Sequence, residues 1–128
     1  MPDFRLRFYA NRDGRSPFQD WLDGLQDKVK IKCIRAVALL EDRGHELRRP
    51  HCDYLRNDIY ELRVRYGSRN YRILYFFHGR DAVVLSHGCT KERVVPQREI
   101  DLAIRHRAAY LSDPSRHTFQ FGTEGDHD

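Results

Sequence analysis

The segment Phe4-Arg5-Leu6-Arg7-Phe8-Tyr9 alternates apolar and basic residues, the period of a half-buried β-strand. The period then changes. Ser16-Pro17-Phe18-Gln19 has the form of a capping box, with Ser16 at the N-cap, Pro17 at N1 and Gln19 at N3. Phe18, Trp21, Leu22 and Leu25 follow at helical spacing, and Gly24 keeps this helix short. Asp27 can cap a longer helix in which Val29, Cys33, Val37 and Leu40 form one buried stripe. Lys28, Lys30, Lys32 and Arg35 take its solvent side, and Gly44 stops it. Residues 45–57 read as a connector with several basic groups.

Period 2 returns after the connector. A strand is expected near 58–66, a turn through Gly67-Ser68-Arg69-Asn70, and a second strand near 71–78. Gly79-Arg80 makes another tight turn, and a third strand starts at Ala82-Val83-Val84-Leu85 and runs to about Cys89. Pro96 begins a last helix, with Ile100, Ala103, Ile104, Ala108 and Leu111 on one face and Asp113-Pro114 at its end. The tail that follows is polar, contains Gly122 and Gly125, and reads as flexible. The order is β-α-α-β-β-β-α. It predicts an α+β domain over residues 1–112, a mostly antiparallel sheet packed against helices on one face, and a tail over 113–128.

Composition narrows the class. With 128 residues and 40% hydrophobic content the chain suits one domain. No run approaches the roughly 18 apolar residues of a membrane span. The start, Met1-Pro2-Asp3, carries no signal-peptide pattern, and the three cysteines, Cys33, Cys52 and Cys89, fit no disulfide scaffold. The expectation is a cytoplasmic protein without membrane contact. A zinc site from His51, Cys52, His87 and Cys89 is formally conceivable, but their spacing matches no paired-ligand pattern, so neither metal nor cofactor is expected. The net charge is +4; the tail from Asp113 carries −3, which leaves +7 on residues 1–112. Such a field favours an anionic partner, nucleic acid or acidic protein.

The charge concentrates on the hairpin. On the first of its strands Tyr60, Leu62, Val64 and Tyr66 share one face, while Glu61, Arg63 and Arg65 share the other. On the second, Arg72 alternates with Tyr71 and Ile73. The arginines are therefore expected on an open face of the sheet. Arginine suits bidentate phosphate contacts, and Tyr66, Tyr71 and Tyr75 offer stacking surface to unpaired bases. A solvated charged face paired with Glu61 is the plainer alternative. Ser86-His87-Gly88-Cys89-Thr90-Lys91-Glu92-Arg93 then leaves the third strand; Gly88 permits close backbone approach or a bulge, and Lys91 and Arg93 extend the basic surface. His87 is a candidate base by its pKa, although a lone strand histidine is more often structural.

The stretches IYELRVRYGSRNYRILYFF and VVLSHGCTKERVVPQREIDLA together resemble the RelE/ParE superfamily of toxin–antitoxin toxins, in its HigB-like, phage-derived branch. The resemblance covers about residues 4–110 and implies a RelE-like fold in the order already read. It implies a ribosome-dependent mRNA endonuclease that inhibits translation without a metal. It also implies a cognate antitoxin of helix-turn-helix type and a higher-order toxin–antitoxin complex. Matched residue by residue, Arg63 and Arg72 fall on basic strand positions of such active sites, and Lys91 near the basic residue after the third strand. Glu61 stands where some relatives carry lysine, Cys89 where an aromatic is expected, and Glu92 where a second lysine is expected.

RNA cleavage without a metal needs an aligned 2′-hydroxyl, a base, and stabilisation of charge on phosphorus. The residues assigned are Arg63 and Arg72 as a phosphate clamp, Lys91 at the leaving oxygen, and Glu61 or His87 as base. Arg65, Arg69, Tyr71 and Arg93 would bind RNA. With Arg72 read as a surface residue, Arg72→Ala should abolish activity and leave the fold intact. Two other readings remain. One is a ParE-like toxin that binds DNA gyrase. The other is a degenerate, non-toxic RNA-binding module.

Overall fold

The computed structural model describes residues 5–91 and 93–121, the side chain of Lys91 excepted. Its elements are β1 (Arg5–Phe8), α1 (Pro17–Asp23), α2 (Asp27–Arg43), a 3₁₀ turn at Gly44–Glu46, β2 (Cys52–Arg56), β3 (Ile59–Tyr66), β4 (Arg69–His78), β5 (Ala82–Lys91) and α3 (Gln97–Ser112). The five strands form one sheet in the order β1-β5-β4-β3-β2. β1 runs parallel to β5, and the other pairings are antiparallel. The α+β class and the mostly antiparallel sheet are those expected from the sequence.

The sheet has one strand more than the periodicity indicated. β2 lies inside the stretch read as a connector. It is a five-residue edge strand with a register shift between Tyr54 and Arg56, too short and too polar to show a period. Its turn into β3 was the available signal. Asn57 and Asp58 both have positive φ, 52° and 69°, as a two-residue hairpin turn requires.

Local chemistry explains α1 and α2. Ser16 caps α1 by accepting a hydrogen bond from Gln19 N at 3.0 Å. The reciprocal half of the capping box is absent, because the Gln19 amide donates to Asp23 Oδ1 instead. In α2 the stripe Val29, Cys33, Val37 and Leu40 is buried as its spacing demands. These helices cover one face of the sheet, against Leu62, Val64, Tyr71, Ile73, Tyr75, Val83 and Leu85.

The expectation that all helices share that face is corrected by α3. It packs on the opposite face, against Ile59, Leu74, Phe76, Val84 and Cys89. The cause is visible in β4, where Ile73, Leu74, Tyr75 and Phe76 are all buried. A strand that is apolar on both faces needs cover on both. The buried stripe of α3 is Ile100, Ala103, His106 and Tyr110, whereas Ala108 and Leu111 are exposed. His106 and Tyr110 have polar tips, yet both belong to the core. Those tips find partners inside: Tyr110 Oη lies 2.9 Å from His78 Nδ1 and accepts from Arg7, and His106 Nδ1 lies 2.8 Å from Ser86 Oγ.

The start of the tail is docked. Phe119 N donates to Phe8 O at 2.8 Å, His117 is buried with Nδ1 2.7 Å from Ala10 O, and Phe119 stacks on Phe8. This differs from the flexible tail expected for that stretch; residues 122–128 lie outside the described residues.

Gly88 meets one of the two expectations attached to it, close approach, since it pairs regularly with Ile73 and the bulge lies two residues earlier. A bulge at Ser86 shifts the register between β4 and β5, and the Trp21 ring of α1 lies directly on Gly88. A Cβ there would come within 2.2 Å of Trp21 Cδ2 and Cε3. Trp21 is itself wedged against Phe18 and Tyr71. Gly88→Ala is therefore expected to cost about 1–3 kcal/mol of stability, as overpacking does. A urea midpoint unchanged from the parent would remove this contact from the account.

Candidate functional site

The chemistry gathers where β3 and β4 meet the start of α3. Antiparallel pairing sets Arg63 directly opposite Arg72. Two like charges in that position repel. Glu61, one pleat along β3 on the same face, lies between them. Its Oε2 accepts from Arg63 Nε at 2.9 Å, and its Oε1 is 3.4 Å from Arg72 Nε. Glu61 is only 5% exposed and Arg72 8%.

Arg72 is the most constrained member. Its Nη2 donates to Arg93 O at 2.7 Å, while Nη1 is buried and has no partner among the described residues. Arg63 has a side chain 38% exposed and also reaches Asp53 Oδ2 at 3.3 Å. Asp53 takes Arg49 at 2.9 Å, and that hydrogen bond is the main reason its carboxyl lies below the usual carboxylate range. The result is one chain of alternating charge: Arg72, Glu61, Arg63, Asp53, Arg49.

Above it is a cleft of about 410 Å³, lined by Tyr54, Leu55, Arg56, Glu61, Arg63, Arg72, Arg93, Val94, Val95, Gln97 and Ile100. Arg56 is already engaged, to Gln97 at 2.8 Å and Asp101 at 2.7 Å. The cleft therefore presents an excess of guanidinium over a single carboxylate, on rigid strands, with one buried N–H unsatisfied. Buried donors without partners are rare, and one on a side chain that lines a basic cleft suits an anion.

Arg72 is thus not on an open face: α3 and the segment before it close over it. The sequence pattern could not show this, because cover on that face comes from a helix two dozen residues later. Arg65 and Arg69 are exposed near the Gly67-Ser68 turn, outside the cleft lining, and Arg65 Nε donates to Gly67 O at 3.2 Å. Tyr71 points to the other face, buried against Trp21, so it is a core residue here. Arg93 is exposed and lines the cleft. Lys91 ends β5 opposite Asn70, and its side chain lies outside the described residues, as does Glu92. Val94 and Gln97, which complete the wall, carried no signal in the sequence.

His87 lies on the α3 side of the sheet but is buried and does not line the cleft. Its Nε2 is 2.9 Å from Glu99 Oε1 and its Nδ1 2.9 Å from Ser86 Oγ. Ser86 Oγ also meets His106 Nδ1. The carboxylate requires a proton on His87 Nε2. In neutral His87, Nδ1 is then an acceptor, so Ser86 donates to it and accepts from His106 Nδ1–H. Burial is the main cause that lowers the pKa of both rings, against the pull of Glu99 on His87, and His106 is pushed down to about 3.

The unfolded chain protonates these histidines near pH 6.5, while the fold holds His106 neutral. Below pH 6.5 the unfolded state therefore binds more protons, and stability falls as the pH drops from about 6.5 toward 3. By pH 5, His106 alone should remove on the order of 2 kcal/mol. Urea unfolding at pH 7 and pH 5 checks this, and His106→Asn should flatten the difference.

Among the described residues no group of three or more His, Cys, Asp or Glu could hold a metal ion. Cys52 packs on the α1–α2 side, whereas Cys89 packs on the α3 side. No helix among the described residues is long and apolar enough to cross a membrane.

A mixed five-stranded sheet with a helical hairpin on one face and an arginine cluster beneath a final helix defines a RelE-like α+β protein. The chain belongs to the family described as phage derived protein Gp49-like (DUF891), which matches residues 20–108. This bears out the resemblance to the phage-derived, HigB-like branch. Proteins named probable endoribonuclease HigB1, from two strains of Mycobacterium tuberculosis (CDC 1551 / Oshkosh and ATCC 25618 / H37Rv), are similar to it. Each is 28% identical over 97 residues, which is 76% of this chain and 76% of the relative.

Proposed function

We propose that this protein is the toxin of a toxin–antitoxin pair and acts as a metal-independent endoribonuclease on mRNA held by the ribosome. The observation that carries this reading is the buried Arg72 guanidinium, opposite Arg63, with Nη1 unsatisfied on a side chain that lines a basic cleft. A phosphodiester supplies the missing acceptor. The HigB1 relatives, named as probable endoribonucleases, support the same chemistry.

Arg63 and Arg72 grip the scissile phosphate and stabilise the charge that grows on its oxygens. Glu61 holds the two guanidinium groups in register. It is the only carboxylate among the described cleft-lining residues, and its Oε1 has the longer contact to arginine. Of the two candidate bases it is the one within reach of a 2′-hydroxyl, whereas His87 is walled off. Lys91, at the end of β5, serves the leaving 5′-oxygen. Arg65, Arg69 and Arg93 draw RNA in, so binding weakens with salt. The ribosome aligns the strand, which lets a small protein act without its own substrate groove. A helix-turn-helix antitoxin covers the basic surface in the resting cell, within a higher-order complex.

The test is tightly controlled induction, with pulse labelling of protein and DNA synthesis and mapping of mRNA 5′ ends in the same samples. Rapid loss of translation with new cuts inside translated frames is the expected result. DNA synthesis failing first, over intact mRNA, would replace this reading with that of a gyrase-binding toxin.

A further inference from the structure

A second hollow, of about 560 Å³, lies at the β2 edge on the other side of the sheet and is walled by aromatic rings. Tyr54 lines both this hollow and the arginine cleft. Tyr54 and Tyr60 stand at 73° to one another with centroids 5.1 Å apart, so they form a corner. A flat group lying on one ring meets the edge of the other. Neither ring is loose. Tyr60 stacks on the buried Tyr75 at 5.4 Å, and the Tyr54 hydroxyl accepts from Asp58 N at 3.1 Å. Tyr54 is nevertheless 51% exposed. Arg48 and Arg49 edge the hollow.

The two cavities are also joined by charge. Arg49, at the hollow, and Arg63, in the cleft, share the carboxylate of Asp53. An extended chain of phosphates leaving the cleft over β2 would therefore keep meeting arginine. A rigid, half-exposed aromatic corner beside guanidinium groups is the arrangement that binds an unpaired base. An acidic peptide would use the arginines but has little need of the stacked rings.

We infer that the hollow is a subsite for a single unpaired nucleotide flanking the one gripped in the cleft, its base against Tyr54 and Tyr60 and its phosphate near Arg49. The strand's identity as substrate rests on the nuclease reading; the binding of a nucleotide to the hollow does not.

The probes are adenosine and uridine 5′-monophosphates, with ribose 5-phosphate as the baseless control, titrated into the full chain and followed by the NMR signals of its tyrosines. The nucleotides should shift Tyr54 and Tyr60 and bind about fivefold or more tightly than ribose 5-phosphate. Tyr54→Ala should erase that preference, and Arg49→Gln should weaken binding of all three. Arg72→Lys should leave the preference in place. Equal binding of nucleotides and ribose 5-phosphate would overturn the inference, as would a preference that survives Tyr54→Ala. Occupation of the corner by a poly-glutamate peptide but by no nucleotide would also overturn it. Nucleotide preference without any RNA cleavage would withdraw the nuclease reading and leave the subsite standing.

Discussion

Arg72→Lys is expected to lower RNA cleavage by about 10²–10³-fold while the protein stays folded. Lysine keeps the positive charge beside Glu61, so no buried carboxylate is stranded. It cannot reach Glu61, Arg93 O and an incoming phosphate at once, as the planar guanidinium does. Arg72→Ala is the poorer test. The sequence suggested a surface residue whose loss spares the fold, but Arg72 is buried and paired, and its removal leaves Glu61 with one partner fewer. Arg63→Ala complements the lysine variant. Its side chain is more than a third exposed and Arg72 still holds Glu61, so cleavage should drop by a comparable factor, and loss of the 2.9 Å bond to buried Glu61 should cost about 1–3 kcal/mol of stability. Cleavage of a reporter mRNA in a translating lysate, with urea unfolding of the same preparations, separates activity from folding. Full cleavage by both variants would end the clamp assignment.

The largest stability effect should come from the carboxylate between the arginines. Glu61→Ala leaves Arg63 and Arg72 facing each other across β3 and β4, the buried one without a carboxylate and the other with Asp53 alone, at 3.3 Å. Breaking a buried pair in this way costs about 3–5 kcal/mol. Glu61→Gln keeps the side-chain volume and one acceptor, and should cost less. Its cleavage rate carries the mechanistic information. If Glu61 takes the 2′-hydroxyl proton, the folded glutamine variant should lose about 10²–10⁴-fold, as loss of a general base does. Thermal unfolding and single-turnover cleavage, measured together at a temperature where the variant is folded, give both numbers. A glutamine variant that cleaves at the parent rate would reduce Glu61 to a positioning residue and send the search for the base elsewhere.

Much of this protein is legible without coordinates. The helical stripe of α2, the cap at Ser16, the hairpin of β3 and β4 and the close approach at Gly88 all follow from spacing and from the chemistry of single residues, because these are local effects. So does the alternation that sets Glu61, Arg63 and Arg65 on one face of β3. The particular pairing of Arg63 with Arg72 does not: the turn expected through Gly67-Ser68-Arg69-Asn70 is the two residues Gly67-Ser68, and Tyr66 pairs with Arg69.

What required the tertiary structure was the cover on each face and the depth of each side chain. Nothing near Arg72 in the chain reveals that Arg93 and Val95 close over it, since that contact spans the whole of β5. Nothing near His87 shows that Glu99 and Ser86 claim both its ring nitrogens. Tyr71 and Tyr54 are equally plausible stacking surfaces as letters. Packing buries the first under Trp21 and leaves the second standing at the β2 edge. Sequence determined which groups this protein brings to its sheet. Long-range packing decided which of them meet a ligand, because burial depends on neighbours that periodicity cannot see.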